Sequence, residues 1–291
     1  MPKGIITRGV GGFYYVAVEE SIYECKARGI FRKKELTPLP GDRVEISITD
    51  EEKKLGAIEE ILSRSSVLVR PAIANTNQLI AVVATKTPVP DLELLDKMII
   101  NAERQGIESV ICVNKIDLGS KVLDDITRIY SPAGYRVIGT SCITGAGMGE
   151  LCEILKEKIS VFSGQSGVGK STLLNSIIGS VIMETGEVSE KINRGKQTTR
   201  HSQLIKLPNG GYVADTPGFS IYEADLAECE ELYKYYPEFD DYLGKCRFAP
   251  CFHINEPECA VKAAVEEGKI SAERYSTYAQ LFRIIKETRR Y

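Results

Sequence analysis

With 291 residues and 43% apolar content, the chain is long enough for about two domains with packed cores, which excludes disorder over most of its length. Its 37 basic and 40 acidic side chains leave a formal charge of −3, which excludes a polycation that coats nucleic acid, so any such contact is local. No apolar run nears the ~20 residues that span a bilayer, and the opening residues lack a signal-peptide core, so a cytoplasmic protein with no membrane partner is expected.

In chain order, Gly4–Thr7, Gly12–Val18, Ile22–Ala27 and Arg43–Ile48 read as short strands punctuated by Gly11-Gly12 and Pro40-Gly41-Asp42, the pattern of a small barrel. From about Asn77 the pattern changes to apolar strands alternating with amphipathic helices. Strands are expected at Gln78–Thr85, Ile107–Val113, Arg136–Gly139 and Ile159–Ser163. Helices are expected at Asp91–Gln105, Ser120–Tyr130, Gly147–Glu157 and Lys170–Ile178. Such alternation predicts a mostly parallel α/β sheet. Gly211–Ala214 is one further strand, and from Asp225 the tail is helical in character apart from a cysteine-rich interruption at Cys246–Cys259. Three units follow: 1–65, 66–224 and 225–291.

Gly164-Gln165-Ser166-Gly167-Val168-Gly169-Lys170-Ser171 is a complete Walker A sequence, placed after a strand and at the start of a helix, with Thr172 next in the first turn. Glycines let successive N–H groups wrap phosphates at the helix N-terminus, Lys170 neutralises the β and γ phosphates, and the Ser171 hydroxyl holds Mg²⁺. Asp215-Thr216-Pro217-Gly218 ends a strand, with Asp215 reaching Mg²⁺ through water and the Gly218 N–H sensing the γ-phosphate. Asn114-Lys115-Ile116-Asp117 ends another strand. Its carboxylate suits N1–H and the 2-amino group of guanine, a donor pair that adenine lacks, so the expected nucleotide is GTP or GDP. Ser141-Cys142-Ile143 would offer a backbone N–H to guanine O6.

The guanine-reading segments come before the phosphate loop, whereas the usual order is the reverse. All lie at strand ends, so one site is assembled by a chain that has been cut and rejoined elsewhere, a circular permutation. The segment after Gly218 then runs directly into the C-terminal unit, and its motion would pull on that unit. Between Glu184 and Ser202 lies a long polar stretch of the kind that is functional or disordered. Thr199 is expected to complete the Mg²⁺ shell. Phe219 follows Gly218 where a water-orienting glutamine commonly stands, leaving Gln197 and His201 as candidates for promoting hydrolysis.

Four of the eight cysteines lie within 229–259, and in a reducing compartment clustered cysteines mean metal more often than cross-links. Cys246, Cys251, His253 and Cys259 supply three thiolates and an imidazole, the complement of a closed, structural zinc site. One such ion would supply folding free energy to a tail with little core. Cys229 lies too far upstream to join them. Cys25, Cys112, Cys142 and Cys152 read as small apolar residues.

Asn114–Asp117 ahead of Gly164–Ser171 and Asp215–Gly218, followed by Cys246, Cys251, His253, Cys259 and then Ala260-Val261, closely resembles the RsgA family of circularly permuted GTPases of small ribosomal subunit biogenesis, the YjeQ/YloQ-like proteins. The resemblance implies an N-terminal OB-fold barrel, a permuted P-loop GTPase domain and a C-terminal helical zinc-binding domain. It also implies slow GTP hydrolysis stimulated by the small subunit, and a checkpoint role in that subunit's late maturation. Family members commonly carry a histidine just before the Thr-Thr pair, where this chain has Gln197. An OB barrel suggests contact with rRNA, and Arg28, Arg32, Lys33 and Lys34 form a basic cluster there. A monomer is expected, since a ribosome-bound factor needs no self-association. Two other classes stay open on sequence alone: an RNA-binding protein that senses guanine nucleotide without useful turnover, and a zinc-thiol redox enzyme with an open metal site.

Overall fold

The computed structural model describes residues 1–29, 31, 36–68, 71–185, 202–207, 209–215 and 228–288, with backbone alone at 180–185 and 215. The chain divides into two compact units, one made of Met1–Gln78, Cys152–Phe162 and Ser171–Phe219, the other of Leu79–Leu151, Ser163–Lys170 and Ser220–Tyr291.

In the first unit, β1 (Lys3–Val10), β2 (Phe13–Val18), β3 (Ser21–Ala27), β4 (Arg43–Asp50) and β5 (Leu55–Ile61) close a five-stranded barrel. Pairing is antiparallel for β1–β2, β2–β3, β4–β5 and β1–β4, and parallel for β3–β5. Alternating side chains point inward, so that Ile6, Val16, Tyr23, Cys25, Val44, Ile46 and Ile58 fill the interior. Gly11 and Gly12 both have positive φ, as a tight hairpin of this hand requires. Asp42 is fully buried at the Pro40-Gly41-Asp42 turn, and Arg64 grips it with Nε at 2.7 Å and Nη2 at 2.8 Å.

The sequence pattern missed β5. Its Leu-Gly-Ala-Ile-Glu-Glu-Ile carries a glycine and adjacent glutamates, and the strand exists because β3 and β4 flank it. The pattern also missed the short pair β6 (Val67–Leu68) and β7 (Ile73–Ala74). The remaining strands of this unit are β11 (Ile159–Ser163), β12 (Gln203–Lys206) and β13 (Tyr212–Asp215). β11 and β13 are parallel, β12 pairs antiparallel with β13, and β12 meets β1 at Gln203 opposite Arg8. β12 was hidden by its length of four residues and by the polar stretch before it.

In the second unit, β8 (Gln78–Ala84) and β9 (Glu108–Asn114) are almost wholly buried, and β10 (Arg136–Thr140) buries Ile138 and Thr140. The near-continuous apolar runs reflect a sheet covered on both faces. α1 (Leu92–Glu103) starts at Asp91, whose side chain accepts from the Leu94 N–H at 3.0 Å. α2 (Lys121–Tyr130), α3 (Met148–Ile154) and α4 (Lys170–Thr185) occupy the expected places, with α3 ending three residues early and α4 running seven further.

Beyond residue 228 the chain is less helical than its composition suggests. Cys229–Tyr235 and Pro237–Tyr242 are 3₁₀ turns, and among the described residues there only α5 (Ala260–Glu266) and α6 (Ala272–Thr288) are α-helical. Their shared core is aromatic, built on Tyr236, Phe239, Tyr278 and Phe282, and it includes Ile100 of α1. Among the described residues, no helix is long and apolar enough to cross a membrane.

Candidate nucleotide and metal sites

The loop from Gly164 to Lys170 requires its glycines. Gly164 (φ +151°) has no room for a side chain, because a Cβ there would collide with the Val82 carbonyl oxygen. One on Gly169 (φ +98°) would strike the Asn114 amide. Gly167 also has positive φ, at +84°. Lys170 Nζ donates to the Gly164 carbonyl at 2.6 Å and to the Gln165 carbonyl at 2.8 Å, and burial lowers the pKa of its ammonium. Ser163 Oγ, at the end of β11, and Gln165 Oε1, in the loop, are buried without a hydrogen-bond partner. A half-buried cation that solvates itself on loop carbonyls, in a cradle with no room for a Cβ at Gly164 or Gly169, is built to receive an anion.

The Asn114–Asp117 turn is fastened to that loop. Asn114 Nδ2 donates to the Val168 carbonyl at 2.9 Å and Lys115 Nζ to the Gly167 carbonyl at 2.7 Å. Thr140, directly opposite Asn114 in the parallel β9–β10 pair, donates its hydroxyl to Asn114 Oδ1 at 3.2 Å. Asp117 is exposed, and its Oδ1 accepts from Ser141 Oγ at 2.6 Å. One carboxylate is thus aimed by a hydroxyl from the next strand end while its edge stays open to solvent. The Cys142 thiol is pushed up by burial and by Asp117, and the Cys112 thiol beneath it is pushed up to about 12 by burial, so neither is a ready nucleophile. Ile116 is half-buried behind the turn, where a side chain at Gly139 would crowd it.

The structure therefore brings Asn114, Lys115, Asp117, Ser141 and the Gly164–Lys170 loop into one hydrogen-bonded cluster, with Ser166 exposed on the loop and Val168 buried beneath it. Ser171 and Thr172 lie exposed in the first turn of α4. Asp215 ends β13 opposite Gln203. Gly218, Gln197, Thr199 and His201 lie outside the described residues, as do Arg32, Lys33 and Lys34. Arg28 is paired with Glu59 at 2.7 Å and is not a free cation. Thr140 escaped the sequence reading because it stands in no motif; its only signal was its place at a strand end.

Cys246, Cys251, His253 and Cys259 converge, with all four ligand atoms within 4.8 Å of one another. His253 Nδ1 lies 3.6, 3.4 and 3.3 Å from the sulfurs of Cys246, Cys251 and Cys259, and Cys246 and Cys259 are 3.9 Å apart. A tetrahedral ion bonded at about 2.3 Å to sulfur and about 2.0 Å to nitrogen spaces S–S pairs about 3.8 Å and S–N pairs about 3.5 Å apart. The set fits such an ion and fills every position, with no place left for a substrate. Burial pushes the Cys251 thiol up to about 12 and lowers the pKa of the His253 imidazole. Neutral imidazole is the ligating form, and a divalent cation would hold the thiols as thiolates. Tyr233 and Phe239 present ring edges to His253, and the Tyr275 hydroxyl donates to its carbonyl at 2.8 Å.

Comparison with known proteins agrees with this geometry. The RsgA GTPase family model matches residues 61–225, and that of the RsgA N-terminal domain matches residues 3–58. A small ribosomal subunit biogenesis GTPase RsgA of Ruminiclostridium cellulolyticum is 55% identical, covering 100% of this chain and 96% of its own length. The protein of that name in Alkaliphilus metalliredigens is 49% identical over 100% of both chains. The crystal structure of YjeQ from Thermotoga maritima superposes with a TM-score of 0.83 at 39% identity over 98% of each chain. That of YloQ, described as a circularly permuted GTPase, gives a TM-score of 0.82 at 36% identity over 99% of this chain and 96% of its own. With its barrel, its Gly164–Lys170 loop downstream of its Asn114–Asp117 turn and its Cys₃His cluster, the chain belongs to the RsgA family of circularly permuted GTPases.

Proposed function

We propose that this GTPase acts on the small ribosomal subunit late in its maturation, binding the subunit with GTP and leaving it after hydrolysis to GDP and phosphate. The observation that carries the nucleotide side of this reading is the fastening of the Asn114–Asp117 turn onto the phosphate loop through Val168 and Gly167. Asp117 accepts from guanine N1–H and the 2-amino group. Ser141 orients that carboxylate, and the backbone at Cys142 faces O6. On the phosphate side, the Lys170 ammonium exchanges the Gly164 and Gln165 carbonyls for the β and γ oxygens, while backbone N–H groups of 165–171 donate to the rest.

Ser171 and Thr199 would hold Mg²⁺, with Asp215 reaching it through water, and the ion would supply charge neutralisation across the β and γ phosphates. The Gly218 N–H senses the γ-phosphate, and Gln197 or His201 orients the attacking water. Zinc on Cys246, Cys251, His253 and Cys259 would be structural, one per chain. The domains are read as 1–65, 66–224 and 225–291, the first carrying the contact with rRNA through its barrel and the Arg28–Lys34 segment. A monomer located where small subunits are assembled serves this role. The small ribosomal subunit biogenesis GTPases to which the chain is similar support this choice of partner.

The test is steady-state GTP turnover with and without small subunits, with large subunits and ATP as controls. Stimulation by small subunits alone is the expected result. Flat turnover with persistent GTP-dependent binding would make the chain a nucleotide-gated RNA binder, with Gln197 standing where catalysis was lost.

A further inference from the structure

The turn that carries Asp117 is closed by the Leu118 N–H on the Lys115 carbonyl at 2.9 Å, but it is also held from outside. Lys115, just before the 3₁₀ turn Ile116–Leu118, sits at φ +64° in the left-handed region. A residue with a Cβ pays about 1–2 kcal/mol for that conformation, and it persists only where neighbours over-determine it. Glycine would remove the cost but would also remove the ammonium that ties the turn to Gly167. The neighbours that hold Lys115 come from the segment after β8. Thr85 Oγ1 donates to the Lys115 carbonyl at 2.6 Å, the Thr85 N–H donates to the Asn114 carbonyl at 3.1 Å, and the Thr87 carbonyl accepts from Lys115 Nζ at 2.8 Å.

We infer that Thr85 is a positioning residue for guanine selectivity: its hydroxyl fixes the left-handed Lys115 peptide and so sets where the Asp117 carboxylate stands. The inference rests on the reading of Asp117 as the guanine-edge acceptor. Asn114 is anchored independently by Val168 and Thr140, and Asp117 by Ser141, whereas the Lys115 carbonyl between them accepts the Leu118 N–H within the turn at 2.9 Å and, from outside the turn, only the Thr85 hydroxyl among the described contacts. Loss of the hydroxyl frees that peptide to relax toward φ < 0, rotating Ile116 and Asp117 while the phosphate loop keeps its own contacts. The base edge therefore loses more than the phosphates do.

The experiment compares GDP with IDP, which lacks the 2-amino group and so makes one fewer hydrogen bond to Asp117. In Thr85→Val, which keeps the branched shape, the Kd for GDP is expected to rise about tenfold, the size of one lost hydrogen bond with its strain. The Kd for IDP should rise less, so that the preference for GDP over IDP narrows. Thr85→Ser should restore both. Equal weakening of GDP and IDP, or a GDP affinity within about twofold of the parent, overturns the inference. If the valine variant does not fold, Thr85→Ala is read by the same ratio.

Asp117→Asn, assayed with GDP and XDP, separates the two layers of the argument. If it leaves the preference for GDP over XDP intact, the guanine assignment itself fails and the Thr85 inference falls with it. If it shifts preference toward XDP while Thr85→Val changes nothing, only the Thr85 inference is lost.

Discussion

Arg274 is a cation that the protein cannot leave unpartnered. It is 1% exposed, its Nε donates to Glu238 Oε1 at 2.6 Å, and its Nη1 donates to Asp96. Burial pushes the Asp96 carboxyl up, against the pull of Arg274 and the Thr277 and Tyr130 hydroxyls. Tyr236 adds a fourth donor at 3.2 Å. Since all four partners donate, Asp96 is held as the carboxylate, which is acceptor-only. The guanidinium also lies over the Tyr236 ring at 4.3 Å. Removing the cation strands two carboxylates, so Arg274→Met should cost about 3–5 kcal/mol of stability, read as a lowered midpoint in urea. Adding Asp96→Leu and Glu238→Met should recover much of that loss, because a well-packed apolar set costs no desolvation. Failure of the triple variant to regain stability would mean that the network does more than neutralise itself. In the sequence, no motif singles out Arg274. Its partner Asp96 lies 178 positions away, so no local pattern could have exposed the pair.

Elements divide the same way between legible and illegible. The four zinc-type ligands fall within a short span and are read by residue type and spacing. The elements before them are not: composition suggested helices where the chain makes 3₁₀ turns, whose Tyr233 and Phe239 pack against His253. The Tyr278 hydroxyl donates to the Phe252 carbonyl at 2.6 Å and Tyr275 to His253, while Glu256 accepts the N–H groups of Phe252, Ile254 and Asn255. Helix α6 is thus docked on a loop whose shape depends on its four ligands agreeing. If the proposed zinc supplies that agreement, a strong chelator or Cys251→Ser should release one zinc per chain and raise amide exchange across 246–259 and then α6. Exchange in the barrel strands β1 to β5 should be unchanged. A chain that loses its metal with no change in α6 would show that the aromatic core suffices. The missed β5 makes the converse point, for its pairing with β3 and β4 outweighs a poor strand sequence.

At the scale of the whole molecule, the order of the motifs was legible because each is a short local string, and order alone reveals the permutation. What order cannot reveal is which segments share a core. The C-terminal residues read as an appended domain with a metal to hold it, yet Ile100 of α1 lies in the same core as Tyr236, Phe239 and Tyr278. The charge network joins Asp96 and Tyr130 to Arg274, Tyr236 and Thr277, and Arg128 of α2 reaches Glu273 at 2.7 Å. A chain ended at residue 227 would therefore leave Asp96 without its guanidinium and uncover Ile100 and Tyr130. It should be poorly soluble, or melt well below the full chain, even though it keeps every proposed nucleotide ligand. Asp96→Leu should not rescue it, because the exposed apolar surface remains. A soluble truncated chain that melts with the full-length protein would show that the C-terminal segment is an independent module. In that case, the segment would be tied to the rest of the protein through the connecting chain alone. If the truncated chain fails as expected, α1 and α2 offer a second, packed route between the nucleotide side and the metal side, and variants at Asp96 would alter how strongly the two are coupled.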